Sequence, residues 1–595
     1  MRITKTGNDL RIKTKKYVLA IDRPQMLARL YLPEGELYYH MSLLSAIDKI
    51  GRYDVSAGIK GVRVRRRSDH CLVEIAHSSS LWDDKKSYYK CYENSLEYYL
   101  VVKGKSRVDR AYFFRGLLGK NELASIPGFD YVYPACTNFL EKDYFHASEY
   151  CSIGAGLESY AWGPSLASGP LCFAFSRDFK APWLAVGVEA KPGEYGFQRL
   201  EFNYKNESVA NTWDSIIGTQ AFSLAYFGHL AVNGTWETPH LVFHAAGNKY
   251  AAISKYVGGL FGKGLLKKTR KAKYAWWNSP IFCGWHEQCA VGYGSSPRNL
   301  SRQYVESSKA AAEACTQKNY ERWLTLLRKK GIRPGIIIID SKWQTARDVF
   351  TVEEKRWPNL RGFIDRCHAG GQKVMLWINQ WAREKAPADE CLLMDGKPHC
   401  ADPTNPKFAR RLKREIHTML SDQPGCYNAD GLKVDGTTAE PYGYKMKTRG
   451  NLYGFELQKR YLKIIYEAAK AAKKDALVSL FVANPYFLDV CDMVRLGDMY
   501  TVKGDPVAAM RTRAKIIQIG MPGAPIDTDG QFHFSMEPSF SQLIEEQAQL
   551  GVPTIYNAER ITGLRMFTIP GIGKLSDTDY RRIAKAFKNH CKGKV

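Results

Sequence analysis

Carboxylates stand where several apolar stretches of this sequence end. Asp340 follows the run GIIII, Asp435 closes GLKVD, and Asp498 and Asp527 follow MVRLG and GAPI. Cations and tryptophans keep them company. Trp285 ends IFCGW, Trp343 lies just past Asp340, and Trp377 sits in KVMLWI. Lys433 comes two residues before Asp435, and Arg495 comes three before Asp498. Carboxyl groups can carry protons or attack an electrophilic carbon, and flat indole faces cover the C–H surface of a sugar ring. The chemistry needs no cofactor, and the Cys and His residues show no metal-binding spacing.

Not every such residue belongs to a site. A lone Asp after a strand most often caps the next helix, which is the reading for Asp402, Asp505 and Asp529. Trp323 and Trp357 read as core, and His286 as structural. Asp340 and Asp435 differ because each ends an otherwise apolar strand, where a charge would face an open mouth.

The elements around these residues repeat. Candidate strands fall at 281–285, 335–340, 373–378, 431–435, 476–481, 492–497, 521–526 and 552–556. Amphipathic stretches separate most of them, among them Asn319 to Lys330, Phe408 to Leu420, Phe455 to Ala472 and Phe540 to Leu550. Strand–helix alternation implies a parallel sheet, and eight repeats over this length predict a (β/α)8 barrel, whose site forms at the C-terminal ends of its strands. A doubly wound open sheet would need a glycine-rich phosphate turn after its first strand, and IFCGWHEQ has none.

Residues 1–255 read differently. Short alternating runs such as EYYLVV at 97–102 and WLAVGVEA at 183–190 are separated by Gly, Pro and Asn, the pattern of an all-β sandwich. A helical, basic linker over 256–275 joins it to a catalytic barrel over 276–595. The chain has 595 residues, too many for one core. Its fourteen cysteines are irregularly spaced and read as reduced thiols. No apolar run approaches a membrane span, and the basic start lacks a secretory leader, so a cytoplasmic protein is expected. The net charge of +26 favours anionic partners. No nucleic-acid-binding motif accompanies it, so an anionic glycan is the partner it suggests beside a solvated basic surface. Self-association is left open.

Taken in order, these segments resemble the α-galactosidase clan of glycoside hydrolases, families 27, 31 and 36. DGLKVDG at 430–436 is similar to the clan's nucleophile strand. IIIIDSKWQ at 336–344 resembles the segment of family 36 and raffinose-synthase-like proteins in which an apolar run meets Asp-Asp-Gly-Trp. FCGWHEQ at 282–288, KVMLWINQW at 373–381 and ADPTNP at 401–406 are similar to segments of the same group. VRLGDMY at 494–500 falls where the clan carries its acid/base, and PGAPIDTDGQF at 522–532 resembles a late-barrel loop of family 31. Family 36 is the nearest of the three in this reading, with one departure: Ser341 stands where that family has a second Asp.

The resemblance implies a retaining α-glycosidase, α-galactosidase-like, with Asp435 as nucleophile and Asp498 as acid/base. Asp489 and Asp492 are rival acids. Trp285, Asp340, Trp343, Trp377, Lys433, Arg495 and Asp527 would bind an oligosaccharide or polysaccharide, with Lys433 favouring the ionised nucleophile. A raffinose-synthase-type transglycosidase would use the same carboxylates. A non-enzymatic binder of anionic polymers would leave the ordered strand-end carboxylates without a role.

Overall fold

A computed structural model describes residues 1–7, 9–129, 131–135, 145–146, 151–154, 169–208, 216–268, 274–293, 311–437, 439–497, 505–530, 540–562 and 572–593. The N-terminal half is a β-sandwich of antiparallel sheets. One sheet has six strands and begins Arg2–Thr6, Asp9–Lys13, Val18–Asp22, Leu27–Tyr31 and Leu37–Ser42. The other has thirteen, and its spine is the pair of long strands Leu96–Phe113 and Ile216–Glu237. Strand Cys71–His77 shows why they form: alternate residues Cys71, Val73 and Ile75 are fully buried, the period-two pattern of a sheet with one covered face.

Helix Lys249–Gly262 packs on the sandwich and leads to the barrel. Gly187 makes the close approach possible. A Cβ there would lie 2.5 Å from the Tyr256 ring, whose hydroxyl donates to the Val188 carbonyl at 2.6 Å.

The C-terminal half is a (β/α)8 barrel. Its strands are Ile281–Cys283, Ile336–Ile339, Lys373–Asn379, Gly431–Asp435, Leu477–Leu480, Met493–Arg495, Ile526–Asp527 and Thr554–Ile555, referred to below as barrel strands 1 to 8. Every adjacent pair is parallel, in the order 7-6-5-4-3-2-1-8. A parallel bridge between Asp527 and Val552 brings strands 7 and 8 together and closes the ring. Strand 7 is the one element displaced from expectation. Residues 521–525 form a turn, because Pro522 and Pro525 lack the N–H a ladder needs.

Parity along these strands decides what faces the axis. Ile281, Cys283, Ile336, Ile338, Met375, Leu477, Met493, Val552 and Tyr556 form one interior cluster, while Ile337, Ile339, Leu376, Leu432 and Val434 pack outward under the helices. Extending that alternation to the strand ends aims Asp340, Trp377, Lys433, Asp435 and Arg495 inward. The helices obey their own period. Gln317–Lys329 buries Tyr320, Trp323 and Leu327, which confirms Trp323 as core. Trp357 is fully buried as well. Cys71, Cys91, Cys172, Cys283, Cys289, Cys315 and the cysteines from Cys367 to Cys591 are free thiols. No helix among the described residues is long and apolar enough to cross a membrane.

Candidate active site

Asp435 ends barrel strand 4, and its side chain keeps 41 % exposure amid buried neighbours. Three donors hold it. Arg495 Nη2 reaches Oδ1 at 3.0 Å, the Gly436 N–H donates to the same oxygen at 3.0 Å, and Trp377 Nε1 donates to Oδ2 at 3.2 Å. Gly436 is required for this turn. Its φ is +72°, and a Cβ would come within 2.2 Å of Asn379 Oδ1. Burial pushes the Asp435 carboxyl up, but the charges of Arg495 and Lys433 and these hydrogen bonds outweigh it and hold the group below its ordinary value. It stands as an oriented, ionised carboxylate.

Behind it runs a chain of alternating charges. Arg495 also bonds Asp529 Oδ2 through Nη1 at 3.1 Å. Asp529 Oδ1 accepts from the Tyr556 hydroxyl. Tyr556 Oη in turn accepts from Lys433 Nζ at 3.0 Å, and Lys433 donates to Asp340 Oδ2 at 2.7 Å. Asp340 Oδ2 accepts from Cys283 Sγ at 3.0 Å, and Oδ1 from the Ser341 N–H at 2.7 Å. Burial pushes the Tyr556 phenol up, so it stays a donor. Burial lowers the basicity of Lys433, but Asp340 beside it more than restores it, and the ammonium is held firmly charged.

Local structure positions the Asp340 end. Tyr320 Oη accepts the Asp340 N–H at 3.1 Å and donates to Gln288 Oε1 at 2.7 Å. Gly284 leaves room for that hydroxyl, since a Cβ would lie 2.1 Å from it.

Lys433 departs from the sequence expectation in its partner: its hydrogen bonds go to Asp340, Tyr556 and Cys283, and it acts on Asp435 only through space. Trp343 is also corrected. It is fully buried, it donates from Nε1 to the Trp377 carbonyl at 2.8 Å, and its ring meets Tyr427 edge-on. It props strand 3 and offers no face to a sugar. Trp285 is half-buried at the start of helix Trp285–Tyr293 and packs against the interior cluster. Asp527 is fully buried. It accepts from Thr554 Oγ1 and from the Asp529 N–H at 2.9 Å, while its Oδ2 has no partner among the described residues. Burial and the Asp529 charge raise it to about 6.

Asp529, expected to cap a helix, is the second anchor of Arg495. Asp505 is a cap, accepting from the Val507 and Ala508 N–H groups. Asp402 accepts from Thr404 and the Arg449 N–H, while Asn405 caps the helix. His286 is buried against Tyr556. Glu287 is structural too, taking three backbone N–H groups at residues 558–560 and tying the end of strand 8 to strand 1. Tyr556 is a site residue that the sequence expectation lacks, although it ends the apolar run VPTIY with the parity of Val552 and Thr554.

The expected acid, Asp498, lies outside the described residues. Both rivals are engaged. Asp489 pairs with Lys459 at a site 60 % exposed, and Asp492 is buried at the start of strand 6, bonded to Lys470, Tyr466 and the Val478 N–H.

Residues 303–479 match the model of the glycosyl hydrolases family 31 TIM-barrel domain. The barrel has the fold of the α-galactosidase clan of glycoside hydrolases. The matching model is family 31's, and the clan's likeness extends over the whole chain in shape. A family 31 sulfoquinovosidase from E. rectale, solved with an aza-sugar inhibitor, is similar with a TM-score of 0.55 at 12% identity, over 99% of this chain and 83% of that one. A family 36 α-galactosidase from Geobacillus stearothermophilus gives 0.51 at 12% identity, over 100% and 86%. A cycloalternan-degrading enzyme from Trueperella pyogenes, solved with a covalent intermediate, gives 0.51 at 11% identity, over 88% and 72%. Among curated proteins none matches the sequence. The clan fold accounts for the parallel barrel that carries these residues.

Proposed function

We propose that the protein is a retaining α-glycosidase, α-galactosidase-like, in which Asp435 attacks the anomeric carbon and Asp498 protonates the leaving oxygen. The observation that carries this reading is the state of Asp435: ionised, held by Arg495, Gly436 and Trp377, and still open at the mouth of the barrel. A nucleophile must be charged, oriented and reachable, and this carboxylate is all three. In the two-step reaction Asp435 forms a glycosyl ester as the aglycone leaves with the proton of Asp498. Asp498 then takes a proton from water, which releases the sugar with its α configuration and frees Asp435. A sugar hydroxyl in place of that water would make the enzyme a transglycosidase. The test is a panel of aryl α-glycosides followed by proton NMR of fresh product. An α anomer formed first supports the reading, and a β anomer formed first removes it.

A sugar altered at C6 is a second reading, favoured by Ser341. The Ser341 carbonyl accepts from Gln288 Nε2 at 3.0 Å, and its hydroxyl stands where family 36 sequences carry a carboxylate. Asp340 itself is largely occupied by Lys433 and Cys283. A charged acceptor contributes about 1.5–3 kcal/mol per hydrogen bond against about 0.5–1.5 for a neutral one, so plain galactose loses part of its anchor here. Comparing plain and C6-modified α-galactosides on wild type and Ser341→Asp separates the two readings.

A further inference from the structure

The sandwich contains a cavity of about 270 Å3, far from any role in the chemistry above. It lies between strand Ala46–Lys49 and a small sheet formed by Val55–Ser56, Arg115–Leu118 and Asn121–Ala124. Asp48, Tyr53, Tyr112, Arg115 and Glu122 line it, together with Asp54.

The charges in this wall are unequally satisfied. Asp54 is neutralised by Lys85 at 2.7 Å, with both side chains buried, and it also accepts from Ser79 Oγ. Arg115 pairs with Glu122 and lies over the Tyr112 ring at 5.0 Å. Asp48 is 7% exposed, and its Oδ1 accepts the Asp54 N–H at 2.9 Å. The side chain also lines the cavity. A carboxylate facing the cavity offers an acceptor to a hydroxyl brought into it.

The rim is aromatic. Tyr53 is 72% exposed, on a loop that also presents Ile50 at 52%. Gly228 accommodates Ile50, since a Cβ there would lie 2.1 Å from it, and the neighbouring Phe227 meets Tyr444 edge-on at 5.0 Å. Tyr444 is itself 52% exposed and belongs to the barrel loop that follows Asp435. Tyr53, Ile50 and Tyr444 are thus large exposed side chains of this region.

We propose that this cavity is a non-catalytic sugar site that takes one ring of a longer neutral saccharide, with Tyr53 stacking on the ring and Asp48 accepting from a hydroxyl. The proposal rests on the reading of the chain as a saccharide-processing enzyme. Size supports one ring and no more, because pockets for small organic ligands begin near roughly 300 Å3. Charge selects the class. With Asp54 and Arg115 already paired, the uncompensated charge is that of Asp48, which repels an anion. A metal is not the occupant, since no group of three or more His, Cys, Asp or Glu side chains among the described residues is placed to hold one.

The experiment is electrophoresis of the full-length Asp435→Asn protein through native gels containing soluble starch, dextran or galactomannan. At least one polymer should retard it. Adding Tyr53→Ala or Asp48→Asn should weaken that retardation at least fivefold. Tyr53 is exposed, so its loss does not endanger folding, and Tyr53→Ala alone should leave kcat/KM on any small aryl α-glycoside the enzyme cleaves within twofold of wild type. No retardation in any of the three gels, or retardation untouched by both substitutions, overturns the proposal. Failure to cleave any aryl α-glycoside would count against the glycosidase reading and is scored separately, because the gels use the inactive variant.

Discussion

Arg495 holds Asp435 with one terminal nitrogen and Asp529 with the other, at 3.0 and 3.1 Å. One guanidinium thus joins the exposed carboxylate at the mouth to the buried network below it. The planar fork, with its two terminal nitrogens aimed at two separate carboxylates, suits this task.

Removing that cation has a definite pH signature. Asp435 is held below its ordinary value mainly by Arg495, against burial. The acid limb of the kcat/KM profile reports ionisation of this carboxylate in the free enzyme. In wild type it should fall below the usual carboxylate range. In Arg495→Gln it should move to higher pH, and activity should drop across the whole profile. An acid limb that stays in place would mean another group sets it.

Lys433 and Asp340 are a buried pair, 3% and 4% exposed. Losing one partner of such a pair leaves the other charge uncompensated, at a cost of about 3–5 kcal/mol. Lys433→Met should therefore lower stability by that amount in urea unfolding. Lys433→Met with Asp340→Leu should recover part of it.

Tyr556 connects Lys433 to Asp529. Tyr556→Phe removes one buried hydrogen bond from each and should cost about 1–3 kcal/mol of stability. Because Asp529 also steadies Arg495, kcat on aryl glycosides should fall while KM changes little.

Glu440 stands five residues past Asp435, is 4% exposed, and has an oxygen with no partner among the described residues. Burial raises it well above the ordinary value, so it is protonated in the folded chain. The unfolded chain ionises it above a pH of about 4.3. Stability should thus decline as pH rises from there toward the raised folded value. Glu440→Gln keeps the shape without the proton and should flatten that decline in thermal unfolding measured from pH 4 to pH 8.

The acid assignment is tested by azide. Asp498→Ala should lose about 10²–10⁴-fold on substrates with poor leaving groups and far less on activated aryl glycosides. Azide should restore turnover and yield an α-glycosyl azide. Asp489→Ala, whose carboxylate is spent on Lys459, should resemble wild type.

Much of this was legible in the sequence because strands and helices have different periods. Strand 4 falls at 431–435 as read, and helix Phe540–Leu550 matches its amphipathic stretch. The inward carboxylates follow from parity alone. What the sequence could not carry was partnership. Nothing in VPTIY says that Tyr556 bonds both Lys433 and Asp529, and an Asp after a strand looks the same whether it caps a helix, as Asp505 does, or anchors an arginine, as Asp529 does. Trp343 misled for the same reason, since a tryptophan beside a carboxylate reads alike whether it faces a sugar or the core.

The central claim is covalent attack by Asp435. The most direct measurement is peptide mass mapping after incubation with a 5-fluoro glycosyl fluoride of the sugar that the aryl glycoside panel selects. The account predicts one added glycosyl mass on the peptide containing Asp435, absent in Asp435→Asn. A label on another carboxylate, or none on an enzyme that the reagent inactivates, would contradict it.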